Sequence, residues 1–308
     1  MSPAATRRVL AFPVPRTAMP RYILDKRIGD GGMAEVFQAH IEGPEGFRRV
    51  CAVKRLLPEL RRDRGLQNRF IDEARITGRL QHPCIVHVFD FYEEDGVHHL
   101  VMELVEGASA EELILRSVAG AFVPVAVSAT IILETARALQ YAHSQQVLHR
   151  DVSPCNVLIA AAGDIKLADF GLADAVGRLS STEPGTIAGK IAYMSPARRQ
   201  GRAATADDDL YSLGIMLERL LQAADPRQRA TAVGRGLAGL QGRLVSSAPA
   251  VEWPALIDSL RRLGPATPET VGTHVRQVTT AGQRVVRPAG PSDQLEGATL
   301  TRLPLRPS

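Results

Sequence analysis

"HRDVSPCN", residues 149–156, places a histidine, an arginine, an aspartate and an asparagine within eight positions, with Ser153 two places after Asp151. A carboxylate can take a proton and an amide oxygen can hold a cation, so the stretch has the makings of a reactive loop. No lysine stands beside Asp151 to offset further negative charge. The sequence on either side decides what kind of fold carries it.

Upstream lies "AGAFVPVAVSATIILETARAL", residues 119–139, apolar enough to pass for a membrane span. Its uncharged part ends at Glu134 and contains Pro124, short of the roughly 20 apolar residues a span needs. It predicts a buried helix reaching about Gln145, with Pro124 near the first turn, where proline costs least. Downstream, "ADFG" brings a second carboxylate, Asp169.

Farther out, Arg21 to Met102 is mostly β-type: "RYILDKRI", "EVFQAHI", "RRVCAVKRL", "CIVHVFDFY" and "VHHLVME", separated by the turn signals "GDGG", "GPEG" and "EEDG". One helix interrupts, about Gly65 to Leu80, where Leu66, Phe70 and Ala74 recur every fourth residue. After Gly107 helix dominates: Ser109 can cap "AEELILRSV", and "DDLYSLGIMLERLLQ" is another buried helix. The predicted class is α+β in two lobes. A small sheet lobe with one helix spans 20–102, a connector 103–107, and a larger, mainly helical lobe 108–286, with a cleft between them. Residues 1–19 and 287–308 are proline-rich and aperiodic, and are expected to be a mobile arm and a disordered tail.

Composition excludes other classes. The formal net charge of +4 over 308 residues is too small to expect nucleic-acid binding. Cys51, Cys84 and Cys155 lie far apart and form no CxxC pair, which fits a reduced cytoplasm. Pro13 and Pro15 interrupt the apolar run "VLAF" long before a secretory core length, so no export signal is expected.

The chemistry-bearing residues fall into order along this frame. Glycines in "GDGGMAE", Gly29 to Glu35, let backbone N–H groups approach a phosphate chain, though a glycine-rich hairpin turn would look the same. Lys54, in "CAVK", lies on the next strand. Glu73, on the flank of the helix that follows, can pair with it and hold its ammonium against phosphate oxygens; otherwise Glu73 is a surface partner of little consequence. Asn156 and Asp169 are two oxygen ligands of the kind Mg²⁺ takes, leaving Asp151 to accept the proton of an attacking hydroxyl.

Together these residues resemble the eukaryotic-like (Hanks-type) protein kinase family, in its bacterial Ser/Thr branch. The likeness runs from about Tyr22 to Leu221 through the glycine loop, "AVK", Glu73, "HRD" with Asn156, "DFG", "YMSP" and "DLYSLG". It implies that Gly29, Gly31 and Gly32 cover the ATP phosphates, with Ala34 where a third glycine is usual. It also implies that Lys54 holds the α- and β-phosphates, Asp151 is the base, and Asn156 and Asp169 bind Mg²⁺. Ile28, Val36, Ala52 and Leu158 would sandwich the adenine, with Met102 as gatekeeper and the backbone of Glu103 and Val105 bonding its edge. Asp209 would anchor the loop from the helix beneath.

Three departures stand out. Ser153 occupies a position where the family usually has lysine, and Lys190 one where it usually has threonine. This predicts an exchange in which Lys190 supplies the cation and Ser153 the bridging hydroxyl. Ala197, in "SPA", replaces a glutamate that pairs with a late arginine. That arginine is either Arg229 in "DPRQR" or absent, with Pro268 in its place. The second alignment is preferred, because Leu256, Leu260 and Leu263 form an apolar stripe. Residues 222–286 match the family poorly. Arg150, by resemblance, would grip a phosphorylated loop carrying Ser180, Ser181, Thr182 or Thr186.

The function implied is transfer of the ATP γ-phosphate to Ser or Thr hydroxyls of proteins, including the chain itself, in intracellular signalling. A pseudokinase scaffold that binds ATP without transfer is the alternative. The oligomeric state is not legible.

Overall fold

The computed structural model of the chain describes residues 21–31, 33–170, 191–246 and 251–280. The predicted arm 1–19 and tail 287–308 lie outside the described residues, as do Gly32, Ser180, Ser181, Thr182, Thr186 and Lys190.

The first lobe is an antiparallel sheet of β1 (Arg21–Asp30), β2 (Ala34–Glu42), β3 (Arg48–Leu56), β4 (Val88–Glu94) and β5 (Val97–Met102), in the order β1-β2-β3-β5-β4. Side chains alternate across a strand, so β3 serves two faces. Cys51 and Val53 join Ala39 and Val101 on one face. Ala52 and Leu56 join Val36, Leu100 and Met102 on the other, where Lys54 also falls by register. Helix α1 (Arg64–Thr77) begins at an Asp63 cap whose side chain accepts the Leu66 N–H, and it buries Phe70, Glu73, Ala74 and Thr77. It stops before the expected Leu80, because Gly78 already closes its last turn onto Ala74.

The second lobe starts with β6 (Gly107–Ser109), α2 (Ala110–Ser117) and α3 (Val125–Ser144). Ser109 caps α2 as predicted, accepting the Glu112 N–H. Of the 20 residues of α3, 13 are buried, which explains an apolar character all round: the helix is enclosed by protein. No described helix is long and apolar enough to cross a membrane. Strands β7 (Val157–Ala160) and β8 (Ile165–Leu167) complete a small antiparallel sheet with β6.

Six more helices follow among the described residues: α4 (Pro196–Arg199), α5 (Ala206–Gln222), α6 (Pro226–Arg229), α7 (Ala232–Leu244), α8 (Trp253–Arg262) and α9 (Pro268–Thr280). The poorly matching stretch is thus helical and well packed. Leu237 and Leu244 of α7, Leu256 and Leu260 of α8, and Val271 and Val275 of α9 share one core with α3. Leu263, expected in the same stripe as Leu256, is the C-cap of α8 and only partly buried. Helix α9 seats on the β7–β8 turn so closely that a Cβ at Gly272 would lie 2.6 Å from the Ala161 carbonyl oxygen.

Candidate active site

Register brings the cleft residues into line. Gly29 pairs with Val36, Val36 with Lys54 and Lys54 with Leu100, while Ala52 pairs with Met102. Lys54 Nζ lies 2.6 Å from Glu73 Oε1 and 2.8 Å from Asp169 Oδ1, and all three side chains are buried. Burial works against the Lys54 ammonium, but Asp169 and Glu73 outweigh it and hold the group above the ordinary lysine value. For Glu73 burial is the largest influence and pushes the carboxyl up, opposed by Lys54 and reinforced by Asp169. Its second oxygen, Oε2, is buried with no hydrogen-bond partner among the described residues. The Lys54 ammonium therefore serves both Glu73 and Asp169.

The 149–156 loop is held from below. Asp209 on α5 accepts the His149 N–H at 2.9 Å and the Arg150 N–H at 2.8 Å. Those bonds fix Arg150 at a φ of 68°, a left-handed conformation that costs a non-glycine residue about 1–3 kcal/mol. Asp151 follows directly, its own N–H donated to His149 Nδ1. His149 Nε2 then carries the ring proton and reaches the Ala168 carbonyl at 2.9 Å, tying the loop to the stretch that ends in Asp169. The Ala168 N–H returns to the Asn156 carbonyl at 2.8 Å, so Asn156 and Asp169 are drawn together through the backbone. Asn156 uses its amide nitrogen on the Asp151 carbonyl, which leaves its amide oxygen to face a cation. An amide oxygen and a carboxylate are the hard donors that Mg²⁺ accepts. Ser153 is buried in the same loop and makes no side-chain cap bond, while Lys190, its expected counterpart, lies outside the described residues.

Val36, Ala52, Met102, Val105 and Leu158 form one apolar cluster, with Ile28 packed against it. The Gly31 N–H closes the glycine turn onto the Ala34 carbonyl. Glu103 opens the connector. Its N–H is spent on the His87 carbonyl at 2.9 Å, so only its carbonyl can serve an adenine edge. Its side chain accepts from the His87 N–H at 2.7 Å and from Lys166 Nζ at 2.8 Å, clamping the connector to β8.

Comparison with known proteins agrees with this geometry. The model of the protein kinase domain matches residues 22–247. The chain belongs to the protein kinase family, in its bacterial serine/threonine branch. It is 33% identical over 259 residues to the serine/threonine-protein kinase PrkC of Bacillus subtilis, covering 84% of this chain and 37% of that one. It is 34% identical over 232 residues to the tyrosine-protein kinase MasK of Myxococcus xanthus, covering 72% of this chain and 36% of that one. Against a probable serine/threonine-protein kinase PknB of Corynebacterium glutamicum the identity is 38%, over 67% of this chain and 32% of the relative. The chain thus spans about a third of the length of these relatives. Among solved structures it is similar to the PknI kinase domain of Mycobacterium tuberculosis, with a TM-score of 0.57 and 28% identity over 79% of this chain and 96% of that one.

The family match bears on the missing ion pair. It ends at residue 247, so it takes in Asp225–Arg229 and stops before Trp253. The likeness to PrkC, over 84% of this chain, runs past Trp253, so residues 253–262 lie within the region shared with kinase relatives. Arg229 is exposed, and Ala197 offers it no carboxylate. Sequence reasoning also missed two residues beside the loop. His143 Nε2 sits 2.7 Å from Asp209 Oδ2, and Trp253 Nε1 sits 3.0 Å from His143 Nδ1. A histidine six positions before His149 was a weak signal for the first, and nothing local pointed to the second.

Proposed function

We propose that the chain transfers the γ-phosphate of ATP to Ser or Thr hydroxyls of proteins, itself included. The observation that carries this reading is Lys54, buried and clasped between Glu73 and Asp169 at the mouth of the loop that bears Asp151 and Asn156. In this reading the apolar cluster of Ile28, Val36, Ala52 and Leu158 holds the adenine, and Lys54 holds the α- and β-phosphates. Asp151 orients the acceptor hydroxyl and takes its proton as the oxygen bonds to the γ-phosphorus, while the bond to the bridging oxygen breaks and ADP leaves. Mg²⁺, held by Asn156 and Asp169, would neutralise charge on the phosphates. Retention of Lys54, Glu73, Asp151, Asn156 and Asp169 favours transfer over an ATP-binding scaffold.

The test is transfer from labelled ATP to the chain and to a generic basic protein, beside Asp151→Asn. Loss of about 10²–10⁴-fold in the variant, with nucleotide binding kept, is expected; nucleotide binding with no transfer by the unaltered chain overturns the reading. Phosphoamino-acid analysis decides the acceptor, and phosphotyrosine as the main product would align the chain with its tyrosine-kinase relative. Intact mass after incubation with Mg-ATP should rise by whole phosphates if the segment with Ser180, Ser181, Thr182 and Thr186 is modified.

The exchange of Ser153 and Lys190 belongs to the same reading. A γ-phosphate without a nearby cation would forfeit electrostatic stabilisation, and Lys190 is the residue in position by alignment to restore it. Lys190→Ala should lower kcat about tenfold or more; a turnover number like that of the parent chain ends the idea. Cys51, Cys84 and Cys155, far apart in the sequence and forming no CxxC pair, favour a cytoplasmic setting, checked by cell fractionation.

A further inference from the structure

The hydrogen bonds beneath the 149–156 loop reach helix α8. Trp253, its first residue, has its indole nitrogen 3.0 Å from His143 Nδ1. The two rings meet edge to face at 5.1 Å. An indole N–H can only donate, so His143 Nδ1 must accept, and the ring proton is forced onto Nε2. Nε2 is 2.7 Å from Asp209 Oδ2, and with its proton there it donates to that carboxylate. The same carboxylate accepts the N–H groups of His149 and Arg150, and it holds Arg150 in its left-handed conformation next to Asp151.

Resting on the kinase reading above, we propose that Trp253 is a positioning residue for transfer. By fixing the His143 tautomer it presents Asp209 with a donor on every side and sets the backbone that carries Asp151. The other tautomer would turn a lone pair toward the Asp209 carboxylate, and the two acceptors would repel. Helix α8 is a rigid support for this task, because Leu256 and Leu260 are buried in the core it shares with α3.

The experiment uses the full chain labelled with ¹⁵N-histidine and ¹⁵N-arginine and compares it with Trp253→Phe, which keeps an aromatic ring and loses the N–H. In the parent chain the imidazole ¹⁵N pattern of His143 should be that of the Nε2–H tautomer. In the variant a mixed pattern is expected, with shifted amide resonances of His149 and Arg150. A fall in kcat of about tenfold, the rate equivalent of one hydrogen bond, should leave KM for ATP unchanged. Should Trp253→Phe fail to fold, β-(3-benzothienyl)alanine at position 253 keeps the shape of indole with sulfur in place of N–H and gives the same readouts. An unchanged tautomer, or a changed tautomer with parental kcat, overturns the proposal. The tautomer and amide shifts are read on resting protein, so a parent chain that transfers no phosphate would sink the kinase reading while the spectra still decide the network.

Discussion

Two buried polar networks meet at this loop, and they are built on different physics. Lys54, Glu73 and Asp169 form a charge cluster in which one ammonium serves two carboxylates and one carboxylate oxygen has no partner among the described residues. Beneath the loop, Asp209 is a single carboxylate surrounded by the donors of His143, His149 and Arg150. The first is held against a desolvation penalty and poised to receive further charge. The second has its bonds made and serves to fix backbone. An unsatisfied network answers to ligand, whereas a satisfied one resists movement.

The difference can be broken first at Lys54. Lys54→Met should lower kcat/KM about 10²–10³-fold. It also removes the one influence that lowers Glu73, leaving burial and Asp169 to push that carboxyl up. The folded variant then holds a proton that the unfolded chain gives up at the ordinary carboxylate value. Its stability should therefore be greatest in acid and fall as pH rises through and above that value, measured by urea unfolding at several pH values. A flat profile would mean that Glu73 does not feel its burial.

Asp209→Asn sharpens the contrast from the other side. The amide keeps one acceptor oxygen and turns an NH₂ toward groups that donate, so about 2–4 kcal/mol of stability should be lost by thermal or urea unfolding. A loss below about 0.5 kcal/mol would show that the loop holds its strained Arg150 without help. Glu73→Gln comes next. It preserves shape and leaves Lys54 paired with Asp169, so a loss of about 10–100-fold in kcat/KM with little change in melting temperature is expected. The smallest effect belongs to the connector. Glu103→Gln weakens a partly exposed bridge to Lys166 and should cost under about 1 kcal/mol of stability, with KM for ATP nearly unchanged.

The charge cluster was legible in advance because its members are rare residue types at fixed places on regular elements. A lysine on a strand, a glutamate on the next helix and an aspartate after "A" and before "FG" leave few alternatives. The apolar cluster at Val36, Ala52 and Met102 was expected from the family resemblance. The late helices were harder still. Leu256 and Leu260 announced a helix, but which surface it covers depends on α3, more than a hundred residues earlier, and no local spacing encodes that choice. The two candidate late motifs both turned out to be helical, so helical periodicity could not choose between them.

By itself the sequence determined the two-lobe α+β class, the order of the chemistry-bearing residues and the identity of the charges, since periodicity and residue type are local properties of the chain. Tertiary structure decided that the Lys54–Glu73 pair is buried, that Glu103 clamps the connector, and that Trp253 reaches His143. Those are contacts between segments 19 to 110 residues apart. Only the packing of the core brings such segments within hydrogen-bond distance.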